Sequence, residues 1–419
     1  MNNKIINLKF PYEHKSEKVG LEIKDGKIFF TFPVAYYDDK KEDLSVDILD
    51  EEYRKAVLNL LRLLSRYRQK REIENYNQEN SKFPIEAYLW IIRDYIENGN
   101  YRDSEIRYKV NGNGKINWKK TIKNNKIFLE NENLVYKELI TKQIKYDVEN
   151  QITNIHDFCV QTAINIFGFI YGIPLKKVSN RSIKNEIKLQ WIQILRKELL
   201  QTFNDHKISL LKNMIDMLQS LDINKLNSNE FSLVAEDFNY VFERLVDEKF
   251  GNVDSGYYNP QGEWILDGEK FPSSQMRPDT IHIDDKAIYI IDSKYYMYGY
   301  TKDKRQDKLP DISSIHKQIT YAQYIDNPLN KLNLDNKKIF NIFILPKNGK
   351  FISQNNLIKK ELKNDISYIG YARLKNKSKK EYDNIYTFLI NLRKLVENNL
   401  NERCFEEIKE VTNELTASK

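Results

Sequence analysis

The chain has 419 residues, 41% of them hydrophobic and 12% aromatic, which excludes a disordered protein and allows two or three domains with cores of their own. Its two cysteines, Cys159 and Cys404, are too few and too far apart for a disulfide framework or a zinc site, which indicates a reducing compartment. The N-terminus lacks the apolar core of a signal peptide, and no apolar run approaches the length of a membrane span. We therefore expect a cytoplasmic protein without membrane contact.

The net charge of +7 comes from 67 basic and 60 acidic residues. Residues 231–419 hold 29 Lys and Arg against 28 Asp and Glu, which leaves 38 against 32 for residues 1–230. The basic excess therefore lies in the N-terminal half. Such an excess permits nucleic-acid binding but does not establish it, because binding depends on a local patch rather than on a total.

The first half of the chain is predicted to consist of helices with a small amount of β-structure. Residues 21–33 alternate apolar and polar positions around Asp25-Gly26, a strong signal for a β-hairpin. Short strands are expected near residues 106–110 and 127–129. Amphipathic patterns predict helices over residues 50–76, 83–98, 154–172 and 182–221, the last as one long helix.

A basic segment that contains a tryptophan, residues 114–121, lies between these elements. Lys115, Trp118, Lys119 and Lys120 could stack a base and clamp a nucleic-acid backbone, and ordinary loop packing explains the same pattern equally well. The segment is not a phosphate-binding loop, because it lacks the earlier glycine and the Ser or Thr after the lysine. No G-x-x-x-x-G-K-[ST] pattern occurs in the chain, so it carries no P-loop NTPase of its own.

The polar, Asn-rich residues 222–230 mark the predicted domain boundary, because few apolar contacts should cross such a stretch. Residues 1–225 are expected to form a helix-rich module with a small β-hairpin that contacts DNA or a partner. Residues 226–419 are expected to form a domain of α+β or α/β class, with a central mixed sheet flanked by helices. Its predicted elements are helices over residues 231–250, 313–325 and 381–400 and strands over residues 339–345 and 366–374.

The stretch 276–296 combines a buried strand with charged residues. Residues 280–283 form a short alternating strand, and after a polar turn residues 287–291 form an apolar run typical of a strand inside a sheet. This strand ends in Asp292 and Lys294, which alternation places on the same face. A second carboxylate, Asp279, precedes the first strand, and the short hairpin brings it back beside Asp292.

Two carboxylates and a lysine that converge at the edge of a buried sheet predict a divalent-metal site. Mg²⁺, for which Mn²⁺ would substitute, takes oxygen ligands and keeps several waters, so Asp279, Asp292 and a backbone carbonyl are enough protein ligands. The metal would offset the charge of a phosphodiester, and Lys294 would orient or deprotonate the attacking water. The alternative is a hairpin in which Asp279 makes a turn and Asp292 forms a surface ion pair with Lys294.

The string Arg277-Pro278-Asp279, a twelve-residue gap and Asp292-Ser293-Lys294 resembles the motif of the PD-(D/E)xK nuclease superfamily. In that fold a helix packed on the sheet commonly supplies a glutamate. Glu243 lies one helical step from the apolar stripe of its predicted helix and matches this position. The alternative for Glu243 is an intrahelical pair with Arg244 or Lys249.

The resemblance extends over most of the chain. Together with the catalytic motif, several segments look like the LlaJI family of restriction endonucleases, which is similar to the McrC nuclease subunit of McrBC-type systems. These segments are Phe242-Glu243, Phe250-Gly251-Asn252, Lys317-Gln318 with Tyr321, and residues 114–119 and 155–160. The family's usual residue between the catalytic Asp and Lys is Ala, whereas this chain has Ser293, a mild change that should not abolish activity.

The resemblance implies an Mg²⁺-dependent endonuclease that cuts double-stranded DNA in a restriction and antiviral defence system. Asp279 and Asp292 would hold Mg²⁺, and Ser293 would lend its carbonyl. Lys294 would act on the attacking water, and Glu243 would hold a second metal ion or its water.

Two further residues, Gln318 and Tyr321, lie three positions apart on one helix face and would position the site or the scissile strand. The resemblance also implies a partner, an AAA+ GTPase similar to McrB. We further expect a cognate DNA methyltransferase in the same system and a homodimer or larger assembly. Two other functions stay open: a stand-alone repair or junction nuclease of the superfamily, and a DNA-binding module of the same fold that does not cut. The intact Asp, Asp and Lys set disfavours the module, because clustered carboxylates are costly to keep without a catalytic use.

Overall fold

The computed structural model describes residues 5–11, 18–37, 41–67, 83–130, 133–147, 151–173, 183–224, 230–298, 308–327, 337–347, 360–362, 365–375 and 380–417. The fold has mixed α and β structure, as predicted. The chain forms two compact units, one from residues 1–83 and 230–419 and the other from residues 84–229.

Elements are numbered along the chain. The strands are β1 (Ile6–Lys9), β2 (Val19–Lys24), β3 (Lys27–Thr31), β4 (Leu44–Val46), β5 (Asp103–Val110), β6 (Lys115–Ile116), β7 (Phe128–Glu130), β8 (Asn133–Val135), β9 (Ile140–Asp147), β10 (Phe231–Ala235), β11 (Glu263–Leu266), β12 (Glu269–Pro272), β13 (Thr280–Ile283), β14 (Ala287–Ser293), β15 (Lys338–Lys347), β16 (Lys360–Glu361), β17 (Ile366–Ala372) and β18 (Ile385–Asn391). The helices are α1 (Glu51–Arg66), α2 (Ile85–Asn98), α3 (Trp118–Asn124), α4 (Gln151–Phe167), α5 (Asn185–Leu199), α6 (Asp205–Ser220), α7 (Phe238–Phe250), α8 (Ile312–Asp326), α9 (Leu392–Val396) and α10 (Cys404–Ala417).

The first unit contains a five-stranded sheet with the order β10-β2-β3-β1-β4. The predicted hairpin is confirmed as β2 and β3, and its turn residues Asp25 and Gly26 both have positive φ, 49° and 72°, as a two-residue hairpin turn requires. Helix α1 covers the first part of the helix predicted over residues 50–76, and residues 68–76 lie outside the described residues.

The first unit also contains a mixed six-stranded sheet with the order β13-β14-β15-β18-β17-β16. β14, β15 and β18 run parallel, and the other strands run antiparallel to their neighbours. Every residue of β14 is buried, which is expected for a strand covered on both faces. β15 and β17 confirm the strands predicted over residues 339–345 and 366–374.

Helices cover both faces of β14. On one face Tyr321 of α8 packs in a core cluster with Ile290. On the other face the ring of Tyr289 lies 5.3 Å from that of Phe405 in α10, which stacks at 5.5 Å on Phe250 of α7. The charged residues at the end of β14 are therefore held between two packed layers.

The second unit contains α2, α4, α5 and α6, a three-stranded sheet β5-β9-β6 and the ribbon β7-β8. Its helices are tied by hydrogen bonds between Tyr88 and Ser220 at 3.1 Å and between Asp94 and His206 at 2.6 Å. Buried His156 accepts a hydrogen bond from the backbone of Tyr101 at 3.2 Å, as suits a core histidine.

The single helix predicted over residues 182–221 is wrong. The structure has two helices: α5 ends at Leu199, and α6 begins after Asn204, whose side chain accepts a hydrogen bond from the N–H of Lys207 at 2.9 Å. Phe203, whose apolar character extended the helical pattern, is 94% exposed. Because Phe203 lies in the loop between the two helices, its apolar side chain made the sequence pattern look like one continuous helix.

Two helices predicted in the second half are partly strands. The helix predicted over residues 231–250 begins only after Asp237, which caps α7, because the preceding residues form β10. The helix predicted over residues 381–400 is mainly β18, a strand in the interior of the six-stranded sheet, followed by α9. The expected polar tail contains α10.

The division of the chain differs from the predicted boundary between residues 225 and 226. β10 lies directly after that boundary and pairs with β2, so the chain returns to the sheet formed by residues 6–46. Tyr295 donates a hydrogen bond to the carbonyl of Val34 at 2.7 Å, and Arg393 pairs with Glu52 at 2.9 Å. Residues 1–83 therefore share a unit with the six-stranded sheet, and residues 84–229 are an insertion into it.

This division predicts that residues 230–419 expressed alone are much less stable than the full chain. The fragment loses the β2 ladder beside β10, and each large side chain that becomes exposed costs about 1.5–3 kcal/mol, against a total stability on the order of 5–15 kcal/mol. Thermal unfolding and protease resistance of this fragment, of residues 84–229 and of the full chain measure the effect. A fragment 230–419 as resistant as the full chain would show that residues 1–83 are dispensable for its core.

Candidate active site

The hairpin of β13 and β14 brings two carboxylates together. The strands are antiparallel with Thr280 opposite Ile291, so the next residues outward, Asp279 and Asp292, are neighbours. The backbone N–H of Ser293 donates a hydrogen bond to Oδ2 of Asp279 at 2.9 Å, which fixes this carboxylate against the end of β14.

The third charged group of the motif, Lys294, forms an ion pair with Oδ2 of Asp292. Asp292 is only 2% exposed, so this pair is not a surface ion pair. Burial works to lower the pKa of Lys294, but the charge of Asp292 and the hydrogen bond to it outweigh burial, so the pKa is raised. Lys294 therefore carries its positive charge directly beside the two carboxylates.

The carboxyl group of Asp279 is the most perturbed acid of the site. Burial, followed by the negative charges of Asp292 and Glu243, raises its pKa to about 7, while Lys294 and the hydrogen bond from Ser293 oppose the rise. The chain thus holds several carboxylates in a place where they repel each other. A bound cation would relieve this repulsion.

Glu243 lies on α7 and takes part in the same electrostatic cluster. Burial raises its pKa, Lys294 opposes this, and Asp292 adds to it. The alternative partners of Glu243 are engaged elsewhere, since Arg244 donates to the Tyr240 hydroxyl at 3.2 Å and Lys249 to the carbonyl of Leu400 at 3.2 Å.

Aromatic contacts fix α7 at the end of β14. The ring of Tyr295, which directly follows Lys294, lies 5.3 Å from the ring of Phe238 and 5.7 Å from that of Phe242. Because Phe242 precedes Glu243, the same contacts that pack α7 also set the position of the glutamate.

Gln318 and Tyr321 anchor α8 to the segments that carry the carboxylates. Nε2 of buried Gln318 donates to the carbonyl of Ile290 at 2.7 Å, and the hydroxyl of Tyr321 donates to the carbonyl of Arg277 at 2.6 Å. Burial raises the pKa of Tyr321 far above its usual range, so the hydroxyl stays a donor. These contacts are made to the backbone on either side of the site, which fits a positioning role.

Lys317 is a residue near the site to which the sequence pattern assigned no role. It lies half-buried on α8, and its charge acts to lower the pKa of both Glu243 and Lys294. Its ammonium lies 5.6 Å from the ring centre of Tyr321. Its place directly before Gln318 in the family-like segment was the only sequence signal for it.

The donor set fits a hard cation with few protein ligands. Within the described ranges, no group of three or more His, Cys, Asp or Glu side chains is arranged to hold a metal ion. Asp279 and Asp292 are therefore the carboxylates that would hold one, and Mg²⁺ commonly binds one or two carboxylates and retains water. Glu243 interacts with them through its charge but does not complete a three-carboxylate cluster, and the carbonyl of Ser293 lies at the same strand end.

The predicted DNA-contacting residues belong to the second unit, apart from this cluster in the chain. Lys115 lies on β6, and Trp118, Lys119 and Lys120 begin α3. This segment was expected to be a loop, but the side chain of Asn117 caps a short helix there. Trp118 is 54% exposed, and the ammonium of Lys120 lies 3.4 Å from the ring centre of Tyr108. Exposure of the tryptophan leaves its predicted stacking role open to test.

Among the described helices, none combines the length and the apolar character that crossing a membrane requires.

Comparisons with known proteins place this chain among restriction enzymes. A component of the type II restriction enzyme BsuMI, YdjA of Bacillus subtilis strain 168, is 24% identical over 321 residues, which cover 71% of this chain and 67% of YdjA. A chain in the structure of Thermococcus gammatolerans McrB AAA+ hexamers with bound McrC aligns with 93% of this chain and 82% of its own length, at 12% identity and a TM-score of 0.36. The sequence pattern of the LlaJI restriction endonucleases matches residues 19–369, which include every residue of the cluster described above. This chain therefore belongs to the LlaJI restriction endonuclease family.

Proposed function

We propose that this chain is the nuclease of a restriction system and that it hydrolyses phosphodiester bonds of double-stranded DNA with Mg²⁺. The observation that carries the proposal is that the β13–β14 hairpin places Asp279 beside Asp292, with Lys294 ion-paired to Asp292 at the same strand end. The chain's family supports the reaction class, and the arrangement is the one expected of a PD-(D/E)xK nuclease.

Asp279, Asp292 and the carbonyl of Ser293 would hold Mg²⁺, which would supply positive charge to offset the phosphodiester and to favour hydroxide over water. Lys294, which lies beside these carboxylates, would orient the attacking water through its ammonium. Glu243, whose pKa is raised by burial, accepts a proton near neutral pH more readily than an exposed carboxylate does.

The remaining site residues keep this geometry in place. Gln318 fixes α8 to the strand that ends in Asp292, and Tyr321 fixes it to the segment before Asp279. Positional control of this kind is worth several orders of magnitude in rate, because the water must lie in line with the leaving oxygen.

The partners of the enzyme follow from its chemistry and its family. An endonuclease that cuts the DNA of an invader needs a mark that protects host DNA, so we propose a cognate DNA methyltransferase in the same system. The chain has no P-loop motif, and we propose that the nucleotide hydrolysis of the system comes from another chain. An AAA+ GTPase subunit similar to McrB is the proposed source, on the basis of the McrC-like motifs.

Plasmid cleavage tests the proposal. The full chain is incubated with supercoiled plasmid in Mg²⁺, Mn²⁺ or EDTA, alone and with the products of the neighbouring genes. Cleavage in Mg²⁺ that EDTA prevents is the expected result. Tight DNA binding without cleavage under every condition would instead support the module that binds without cutting.

The variant Glu243→Gln should lower the cleavage rate by about 10²–10⁴, the usual contribution of one acid–base group. Gln keeps the shape of the side chain and removes its charge and its capacity to accept a proton. Single-turnover cleavage at limiting Mg²⁺ measures the effect. Glu236→Gln is the matched control, because Glu236 is an exposed residue in a surface ion pair with Lys18. Equal rates for both variants would reassign Glu243 to a structural role.

A further inference from the structure

Lys317 lies near the candidate site and has no part in the proposed reaction. It lies in the second turn of α8, half-buried, and its ammonium lies 5.6 Å from the ring centre of Tyr321. In the part of the chain that the structure describes, no carboxylate pairs with it within 4 Å, whereas the ammonium of Lys294 is bound to Asp292. The site therefore contains one paired and one unpaired lysine.

Two anchors hold this lysine in a fixed position. Gln318, the next residue, is bonded to the backbone of β14, and Tyr321, one turn later, is bonded to the backbone of Arg277. Both contacts are made by buried side chains, so α8 cannot shift without breaking them. A cation that is positioned before substrate arrives costs little reorganisation when negative charge develops beside it.

The charge balance of the site shows what this cation would meet. Asp279, Asp292 and Glu243 contribute three negative charges when ionised, and Lys294 and Lys317 contribute two positive ones. A divalent cation leaves the cluster with one positive charge, which matches a single phosphodiester. Without Lys317 the cluster with its cation would be neutral and would attract the DNA backbone less strongly.

We propose that Lys317 binds a non-bridging oxygen of the scissile phosphate and stabilises the negative charge that develops on it during hydrolysis. This inference rests on the proposed nuclease function. Lysine binds phosphate as a point charge through rotatable N–H donors, and an ammonium held over an aromatic face is oriented without being neutralised. Lys294 and Lys317 thus have separate tasks, the first on the water and the second on the phosphate.

The test uses the full chain with Lys317→Met, Lys317→Arg and the control Lys286→Met. Lys286 is exposed in the turn at the opposite end of the β13–β14 hairpin. Single-turnover plasmid cleavage should fall about 10²–10³-fold in Lys317→Met, the usual loss of one preorganised charge contact, and less in Lys317→Arg, which keeps the charge. Mg²⁺ titration by calorimetry without DNA should show roughly two- to tenfold tighter binding by Lys317→Met, because a positive charge near the cation is gone.

A phosphate contact predicts slower cleavage but tighter Mg²⁺ binding in Lys317→Met, and this combination distinguishes it from a structural role. A structural role would weaken Mg²⁺ binding and lower the unfolding temperature together with cleavage, and that result would overturn the inference. Unchanged cleavage by Lys317→Met, when wild type and Lys286→Met cut DNA, would also overturn it and leave the nuclease function standing. A wild-type protein that neither binds Mg²⁺ nor cuts DNA would remove the nuclease function itself.

Discussion

Lys294→Met and Asp292→Asn should each abolish measurable DNA cleavage. Lys294 is the group proposed to orient the attacking water, for which a loss of about 10²–10⁴ is typical, and Asp292 is one of the two carboxylates proposed to hold the cation. Cleavage is measured under single-turnover conditions in Mg²⁺ with the full chain. If either variant cut DNA at the wild-type rate, the substituted residue would not belong to the catalytic site.

The single variants are also expected to be less stable than wild type. The side chain of Asp292 is 3% exposed and that of Lys294 17%, so each variant leaves a buried charge without its partner. Breaking a buried pair in this way costs about 3–5 kcal/mol. Loss of cleavage in a single variant could therefore reflect partial unfolding.

The double variant Asp292→Asn/Lys294→Met resolves this ambiguity, because it removes both charges at once. We expect its unfolding temperature to lie above those of both single variants, since neither charge of this pair is left without its partner, while its cleavage stays undetectable. Thermal unfolding and cleavage measured on the same preparations decide the matter. A double variant less stable than either single one would mean that the pair serves the fold rather than the chemistry.

The sequence allowed the hairpin that carries Asp279, Asp292 and Lys294 to be predicted because its signals are local. An alternating strand, a polar turn and an apolar strand lie within about twenty residues, and their pairing needs no distant partner. The register of a short hairpin follows from its turn, so the neighbourhood of the two carboxylates could also be inferred.

Elements that depend on distant partners could not be predicted in the same way. β10 pairs with β2, which lies roughly two hundred residues earlier, and nothing in Phe231–Ala235 indicates that partner. β18 is buried on both faces, so its apolar run lacks the alternation that identifies a strand, and the apolar residues that follow it in α9 extend a helix-like pattern. The same non-local pairing explains why residues 1–83 join the unit that contains the site.

A role for Lys317 could not be predicted from the sequence for a related reason. A lysine on a helix is usually a solvated surface residue, and only its charge effects on Glu243 and Lys294 in the folded chain relate this one to the site. Its electrostatic contact with Glu243 joins two helices that are about seventy residues apart in the chain. Such a contact is a property of the fold and has no sequence period.

Asp279→Asn should abolish cleavage and at the same time stabilise the metal-free protein at pH 8. The carboxyl of Asp279 has a pKa of about 7 in the folded chain, against an ordinary value of about 3.9 in an unfolded one. The folded state therefore holds this proton more tightly than the unfolded state. Between these two pKa values stability falls as pH rises, and above pH 7 the penalty is fully present. Asparagine carries no charge, and its side-chain oxygen can still accept the hydrogen bond from Ser293.

The measurement is thermal unfolding in EDTA from pH 4 to pH 8, for wild type, Asp279→Asn and the control Asp285→Asn, which is exposed in the turn of the same hairpin. The gain in unfolding temperature of Asp279→Asn over wild type should be absent near pH 4 and largest near pH 8. A stability difference of about 1 kcal/mol corresponds to roughly 2–4 °C in a domain of 150–250 residues. Adding Mg²⁺ should raise the unfolding temperature of wild type and of Asp285→Asn but not of Asp279→Asn, because only a protein that binds the cation in its folded state is stabilised by it. An Asp279→Asn protein less stable than wild type across the whole range would show that this carboxylate supports the fold. The expected result is a stability gain of Asp279→Asn that appears only above pH 4, together with lost cleavage and a lost response to Mg²⁺. It would show that the Asp279 carboxylate destabilises the metal-free fold and serves to bind the cation.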